Sequence, residues 1–365
     1  MRRSARMLAL FFVCLALAGL AGCAPEKTAR YSCRALDIFD TEITLSGFMK
    51  DQASFDKTAE RVMDRLRACH QMFDGYNAYG EMHNLWYVNR HAAQAPVQVP
   101  EEFYDLLRWC RDQWQEGRRT VNIAMGSVLK IWHAYRDAGI ADPASAALPS
   151  MEELQEANKH TDFSAVLLDD QNRTVYFADP DLQLDLGAVA KGYAADLVLP
   201  LLKKEMPSFL LSLGGNVYAG DAPRDGRDYW NVGVQDPRMT AEGIANGGTD
   251  ILDVMEIKNL TAVTSGDYWR YYEVDGKRYH HIIDPGTLFP AAGMQSVTIV
   301  CESSLLADYL STSLFILSQQ DGEALMRQFD GVEAMWVEQD GTITYSDGMA
   351  RYSRNAKKAA SEKQE

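Results

Sequence analysis

Asp308 and Thr312 stand four residues apart in Ala307-Asp308-Tyr309-Leu310-Ser311-Thr312. On a helix that spacing puts a carboxylate and a hydroxyl on one face. Both are hard oxygen donors of the kind magnesium prefers. Two are too few for an all-protein cage, so they suit a Mg2+ that substrate phosphates also hold. Taken alone, such a pair is more often a solvated acid in the first turn of a helix. A second group is Tyr279-His280-His281-Ile282-Ile283-Asp284-Pro285, with Thr264-Ser265-Gly266-Asp267-Tyr268 shortly before it. A histidine near a carboxylate serves as a general base or orients a nucleophile. Neighbouring strand residues point to opposite faces, so at most one of the two histidines faces a given site. Pro285 pushes Asp284 toward extended backbone. No close His/Cys set has zinc spacing.

Two glycine-rich stretches could receive an anion. In DLGAVAKGYAADL (185–197) an acid ends a strand, Gly187 turns the chain and Ala188 opens a helix carrying Lys191. A helix N-terminus offers unpaired N–H groups and partial positive charge. Gly192, Ala194 and Ala195 permit close approach of a ligand or of a second helix. A phosphate turn and a tightly packed strand–helix junction fit these residues equally well. In Ser212-Leu213-Gly214-Gly215-Asn216 a glycine pair interrupts an apolar strand. That marks either a bulge or a place where something nears the backbone.

Elements must position these groups. Helical spacing of Phe55, Ala59, Val62, Met63, Leu66, Cys69 and Phe73 predicts a helix over 53–73. Pro100-Glu101-Glu102 opens another, with Gly117 as a stop, and 124–136 reads as a third. An early strand or hairpin covers 31–49, and 166–177 reads as a hairpin. LQLDL (182–186) reads as a short strand running into the helix that ends near Met206. FLLSLGGNVYAG (209–220), YWNVGV, ILDVMEIK and LTAVTSG read as strands. Asp275-Gly276 turns one aromatic hairpin and Asp340-Gly341 turns the last. Antiparallel hairpins rather than βαβ units give an α+β fold.

The 365 residues, 47% of them apolar, are enough for a sizeable core. A net charge of −15 argues against non-specific nucleic-acid binding. MRRSAR followed by MLALFFVCLALAGLAG is a charged then apolar leader, too short to span a membrane comfortably. Leu20-Ala21-Gly22-Cys23 resembles a bacterial lipobox. The expected division is a signal peptide over 1–22, lipidated Cys23 and a tether to 36, the domain over 37–350, and a polar disordered tail over 351–365. Such a protein is lipid-anchored on the extracytoplasmic side of a bacterial membrane. Cys33, Cys69, Cys110 and Cys301 form no CxxC pair and read as buried apolar side chains.

Taken in order, DLGAVAKGYAAD, SLGGN, TSGDYWRYYEVDGKRYHHIIDP and ADYLSTSLF resemble the FAD:protein FMN transferases, the ApbE-like flavin transferase family, from about Asp37 to about Tyr345. The resemblance implies an α+β fold related to the tunnelling fold, with a mostly antiparallel sheet and packed helices. It implies that FAD is the substrate, that Mg2+ is required, and that FMN passes to a Thr or Ser hydroxyl of an acceptor flavoprotein with release of AMP. By the same resemblance the Ala188 carbonyl, Asp308 and Thr312 hold the metal. Asp185 and Lys191 lie against FAD, and Gly214, Gly215, Asn216, Ser265 and Ile283 line the flavin cleft. His281 activates the acceptor hydroxyl, with Asp284 as its support or as a second candidate. Tyr76 stacks on the cofactor. Phe39 replaces the methionine of the usual Met-Gly-Thr.

This chain departs from the family pattern twice. Val121-Asn122-Ile123 carries Asn122 where the family commonly has Asp, at a cofactor-binding stretch. Leu288 stands in place of the glycine that follows Thr287, a change expected to reshape that turn. Two other activities draw on the same residues: an FAD pyrophosphatase giving FMN and AMP, and a non-catalytic flavin-binding lipoprotein.

Overall fold

The structure is a computed structural model in which residues 28–238, 250–268 and 270–362 are described. The leader and Cys23 lie outside the described residues. Among the described residues no helix is long and apolar enough to cross a membrane.

The domain begins earlier than 37. Strands β1 (Ala29–Ile38) and β2 (Thr41–Met49) form a hairpin. Its turn residues Phe39 and Asp40 have φ of 55° and 49°. Such turns favour Asn, Asp or Gly, so an aromatic residue there is strained. Asp51 caps α1 (Gln52–Phe73) by accepting from the Ser54 N–H at 2.7 Å. The chain continues through α2 (Leu85–His91), β3 (Val97–Gln98), α3 (Glu101–Gln115), α4 (Gly126–Ala141) and α5 (Met151–Asn158) to the hairpin β4 (Val166–Asp169) and β5 (Thr174–Phe177). Then come α6 (Ala190–Glu205), β6 (Phe209–Leu213), β7 (Asn216–Ala219), β8 (Trp230–Gln235), β9 (Ile251–Ile257) and β10 (Leu260–Gly266). The last third holds β11 (Tyr271–Val274), β12 (Lys277–His280), β13 (Met294–Cys301), α7 (Ser304–Ile316), α8 (Gln319–Met326), β14 (Glu333–Glu338), β15 (Ile343–Tyr345) and α9 (Arg354–Glu362).

Eight strands make one sheet in the order β1-β2-β6-β7-β10-β13-β14-β15, antiparallel at every pairing. Helices α1, α6 and α7 bury one face of it around Ile43, Leu211, Val263 and Ile299. The β8–β9 hairpin covers the other face through Trp230, Val232 and Met255. A third cluster joins α4 to the β11–β12 hairpin through Trp132 and Tyr272. The architecture is α+β, as expected.

Three expectations change. LQLDL is not a strand: only Gln183 bridges, to Met125. Its alternating leucines are buried, but its backbone meets the Ile123 carbonyl and the Gly126 N–H on one side and a side chain on the other. The Asn89 amide accepts from the Leu184 N–H at 2.8 Å and donates to the Leu184 carbonyl at 2.9 Å. Gly214-Gly215 is a hairpin turn with φ of 56° and 96°, not a bulge in one strand. The tail read as disordered is helical over Arg354–Glu362. Asp253 takes the Ser353 hydroxyl and the Asn355 N–H, and Glu256 pairs with Arg354 and Lys357. The polar tail is ordered because β9 presents buried and half-buried acids to it.

Candidate active site

The first half of the site is made where α6 crosses α7. A Cβ on Gly192 would fall 2.2 Å from the Ser304 carbonyl oxygen and 2.7 Å from the Asp308 Cβ, so only glycine lets the helices touch. The contact is used. The Gly192 N–H donates to Asp308 Oδ2 at 2.8 Å. In a continuous helix that N–H would go to the carbonyl of Ala188. Helix α6 starts only at Ala190, two residues later than the sequence suggests, after a turn in which Val189 N–H meets the Leu186 carbonyl at 3.0 Å. The Ala188 carbonyl is thereby released from the helix. One turn further on, Asp196 takes the N–H groups of Ser304 (2.9 Å) and Leu305 (3.0 Å) and the Ser303 hydroxyl (2.8 Å), capping α7 from outside. Burial pushes the carboxyl groups of both Asp308 and Asp196 upward, against the hydrogen bonds they accept.

The sheet supplies the next groups. Ser265 on β10 lies 2.9 Å from the Ser311 hydroxyl and 3.4 Å from that of Thr312. A row of hydroxyls thus runs beside Asp308. Asn216 pairs opposite Val263, so its side chain shares the face of Ser265 two residues on. It is 1% exposed, yet neither atom of its amide has a hydrogen-bond partner. Gly214 packs so tightly on Thr41 that a Cβ would lie 2.0 Å from its hydroxyl oxygen. That contact seats the Phe39 turn against the glycine hairpin. The Phe39 N–H donates to His70 Nδ1 at 3.2 Å.

The two histidines separate cleanly. His280 is buried, donates from Nε2 to the Ala291 carbonyl (2.9 Å), accepts at Nδ1 from the Ile282 N–H (3.3 Å) and packs edge-on against Phe315. His281 is half-buried and its enclosed Nδ1 has no partner. Desolvation of that ring, then the charges of Arg270, His280, Lys191 and Arg136, hold His281 well below the usual histidine range. Asp284 Oδ1 accepts from the Gly286 N–H at 2.8 Å. Among the described residues it makes no hydrogen bond to His281. The turn after it survives the loss of glycine. Leu288 adopts φ 61°, is buried, and gives its carbonyl to Trp132 Nε1 at 2.9 Å. Ile283 is buried in the same cluster and bridges to Pro290.

The remaining expected residues approach from the helical side. Asp185 Oδ1 accepts from the Gly187 N–H at 2.8 Å, and its own N–H meets the Ile123 carbonyl at 2.8 Å. Lys191 Nζ reaches the Gly187 carbonyl at 3.5 Å. Tyr76 is 65% exposed as a residue, while its hydroxyl lies 2.6 Å from His133 Nδ1. Asp74 shapes that loop by accepting from the Tyr76 N–H at 2.6 Å and the Tyr79 hydroxyl at 2.8 Å. Asn122 is spent on the loop itself: its amide bonds the Ala124 N–H (2.9 Å) and the Thr161 carbonyl (2.8 Å). Val121, Asn122 and Ile123 line a small cavity with Trp114, Phe163 and Tyr309. Of the three, Ile123 meets the site through its carbonyl, which accepts from the Asp185 N–H.

Sequence reasoning missed Asp196, His133, Arg136 and Arg270. Asp196 had a signal, since it lies one turn beyond Gly192 in the same motif. The other three sit in ordinary aromatic or amphipathic stretches and acquire meaning only when α4 and the β11 hairpin are brought together.

An antiparallel sheet whose covering helices join a carboxylate, a hydroxyl and a released carbonyl, with uncompensated cations near a partnerless histidine, defines an α+β enzyme acting on an anionic substrate. The model of the ApbE family matches residues 39–336, and the chain belongs to that family. A curated relative named FAD:protein FMN transferase, from Treponema pallidum (strain Nichols), is 37% identical over 276 residues, 72% of either chain. One of the same name from Klebsiella pneumoniae (strain 342) is 31% identical over 264 residues, 71% of this chain and 76% of that one. The crystal structure of the ApbE protein from Thermotoga maritima MSB8 superposes with a TM-score of 0.75 at 28% identity, over 89% of this chain and all of that one. The flavin transferase ApbE from Vibrio cholerae shares the fold, with a TM-score of 0.73 at 20% identity, over 89% of this chain and 100% of that one.

Proposed function

We propose that this chain transfers the FMN half of FAD to a threonine or serine hydroxyl of an acceptor protein and releases AMP. The observation that carries the reading is the junction of α6 and α7, where the Gly192 N–H holds the Asp308 carboxylate and leaves the Ala188 carbonyl without its helical donor, with Thr312 one turn further along the same face of α7. Three hard oxygens of this kind fit Mg2+. Bound there, the ion would neutralise negative charge on the phosphates of the substrate. The names of the curated relatives support the substrate, and the motif order supports the same assignment for Asp185, Gly214, Gly215, Ser265 and Ile283 along the flavin.

The chain's own groups divide the work. The acceptor hydroxyl oxygen attacks the phosphorus of the FMN half, the bond to AMP breaks, and the hydroxyl proton passes to His281. A neutral imidazole is suited to that. Lys191 holds phosphate charge, and Tyr76 offers an exposed ring for stacking. Asp284 shapes the turn that carries His281 rather than touching its ring. A diacyl anchor on Cys23 would tether the domain outside the cytoplasmic membrane, near membrane-bound redox acceptors.

The test mixes the protein with FAD, Mg2+ and an acceptor domain carrying a candidate threonine. In-gel flavin fluorescence on the acceptor and stoichiometric AMP are expected. AMP formed at the same rate with and without acceptor, and no labelled acceptor, would instead make it an FAD pyrophosphatase.

A further inference from the structure

We propose that Arg270 is a substrate-binding residue that grips the pyrophosphate of FAD, giving up its contact with the Phe39 carbonyl to do so. The proposal rests on the flavin-transferase reading above. Most arginines of this acidic chain are neutralised: Arg34, Arg61, Arg65, Arg67 and Arg118 all sit on carboxylates. Arg270 has no such pair among the described residues, although the chain carries 51 acidic against 36 basic residues. Its one hydrogen bond there, from Nη2 to the Phe39 carbonyl, is 3.5 Å long, at the outer limit of such a bond. A guanidinium has five donors in a fork that matches phosphate oxygens two at a time, so this one is mostly unspent.

Its surroundings point to the ligand. Arg270 directly precedes Tyr271, which pairs with His280 across the β11–β12 hairpin, and its guanidinium reaches the Phe39 turn, so it lies between the histidine strand and the turn at 39. Of the other two cations, Arg136 is held by Asp137 at 3.0 Å, while Lys191, like Arg270, has only a 3.5 Å contact to a carbonyl but offers a point charge rather than a guanidinium fork. Phe39 stands strained at φ 55° with its N–H fixed to His70. Arg270 therefore links the turn that meets the flavin to the histidine that meets the acceptor. An anion on the guanidinium would also offset one of the charges that disfavour protonation of His281. The charges of Arg270, His280, Lys191 and Arg136 all disfavour protonation of that ring.

Flavin fluorescence titrations of the full chain with FAD and with riboflavin, for the native protein, R270A and R270K, test this. R270A should weaken FAD by about ten- to a hundredfold and leave riboflavin, which has no phosphate, unchanged. R270K should recover part of the loss. In R270A the acidic limb of kcat/KM should move to higher pH, because a cation opposing His281 protonation is gone. Unchanged FAD affinity would overturn the proposal. So would an equal loss for riboflavin, which would mean that the variant merely deforms the Phe39 turn. Should R270A fail to fold, R270Q, which keeps a donor for the Phe39 carbonyl, carries the same comparison. If the native protein binds FAD but labels no acceptor, the transferase reading falls while the phosphate contact is still decided by these titrations.

Discussion

The backbone N–H of Gly192 donates to the carboxylate of Asp308 across the α6–α7 crossing at 2.8 Å. One bond thus does two things: it orients one oxygen of the acid, and it withdraws a helical donor from the Ala188 carbonyl. Both depend on the absence of a side chain at 192.

Gly192→Ala tests that dependence. Alanine gains about 1 kcal/mol in helix propensity over glycine. Against this, its Cβ would sit 2.2 Å from a backbone oxygen that cannot rotate away. Overpacking costs about 1–3 kcal/mol where side chains can yield, and more where the obstacle is backbone, so the clash wins. The variant should melt at a lower temperature and lose at least about a hundredfold in flavin transfer. A stable, fully active alanine variant would show that the close crossing is dispensable.

Asp308→Asn should leave the fold intact, because an amide oxygen can still accept from Gly192, yet transfer should fall at least about a hundredfold. The pH dependence has a definite sign. Burial raises this carboxyl above the ordinary aspartate value. Protons therefore compete with Mg2+ at a higher pH than they would at an exposed carboxylate. The Mg2+ concentration needed for half-maximal activity should rise as the pH is lowered from neutrality toward 5. A requirement independent of pH over that range would remove Asp308 from the metal.

Much of this was legible in the sequence, and the rest was hidden for specific reasons. The i,i+4 pair Asp308 and Thr312 and the β11–β12 turn at Asp275-Gly276 are local, so spacing and turn chemistry found them, whereas the glycine pair at 214–215 read as a bulge or close approach and is a hairpin turn. The strand expected at 182–186 failed because period-2 alternation reports which side chains are buried. It says nothing about whether a strand flanks the backbone on both sides or, as here, the Asn89 amide takes the place of one. The tail failed because its own composition is polar, and the acids that order it lie a hundred residues away on β9. Leu288 in a left-handed conformation could not be read from a pattern that expects glycine. Its burial in the Trp132 cluster offsets a strain of about 1 kcal/mol.

Adjacent histidines should behave oppositely. His280→Ala removes a donor from the Ala291 carbonyl and opens space beside Phe315, so it should destabilise the fold by about 2 kcal/mol or more. His281→Ala breaks no hydrogen bond at Nδ1 and should stay folded while losing transfer. Both rings are held below the free histidine value by burial. Each is therefore neutral in the fold while its unfolded counterpart protonates. Stability is intact above about pH 6.5 and declines as the pH drops below it. The acidic limb of kcat/KM should likewise lie below pH 6.5. A limb at or above that value would mean that His281 is not the proton acceptor.

Asn216 gives a prediction in which stability and function part. Its amide is buried with neither atom paired, an arrangement that costs about 1–3 kcal/mol for each unsatisfied group. An apolar side chain of similar size would relieve that. Asn216→Leu should therefore raise the melting temperature measured without flavin, provided the branched end fits beside Val263 on the helix-facing side of the sheet. On the assignment of Asn216 to the flavin cleft, the same change should weaken FAD binding. Asn216→Asp serves as the control: it keeps the shape and adds a buried charge, so it should lower both stability and affinity. Melting curves with and without FAD on the three proteins separate the cases. A leucine variant that is less stable yet binds FAD normally would show that the amide has a structural duty instead.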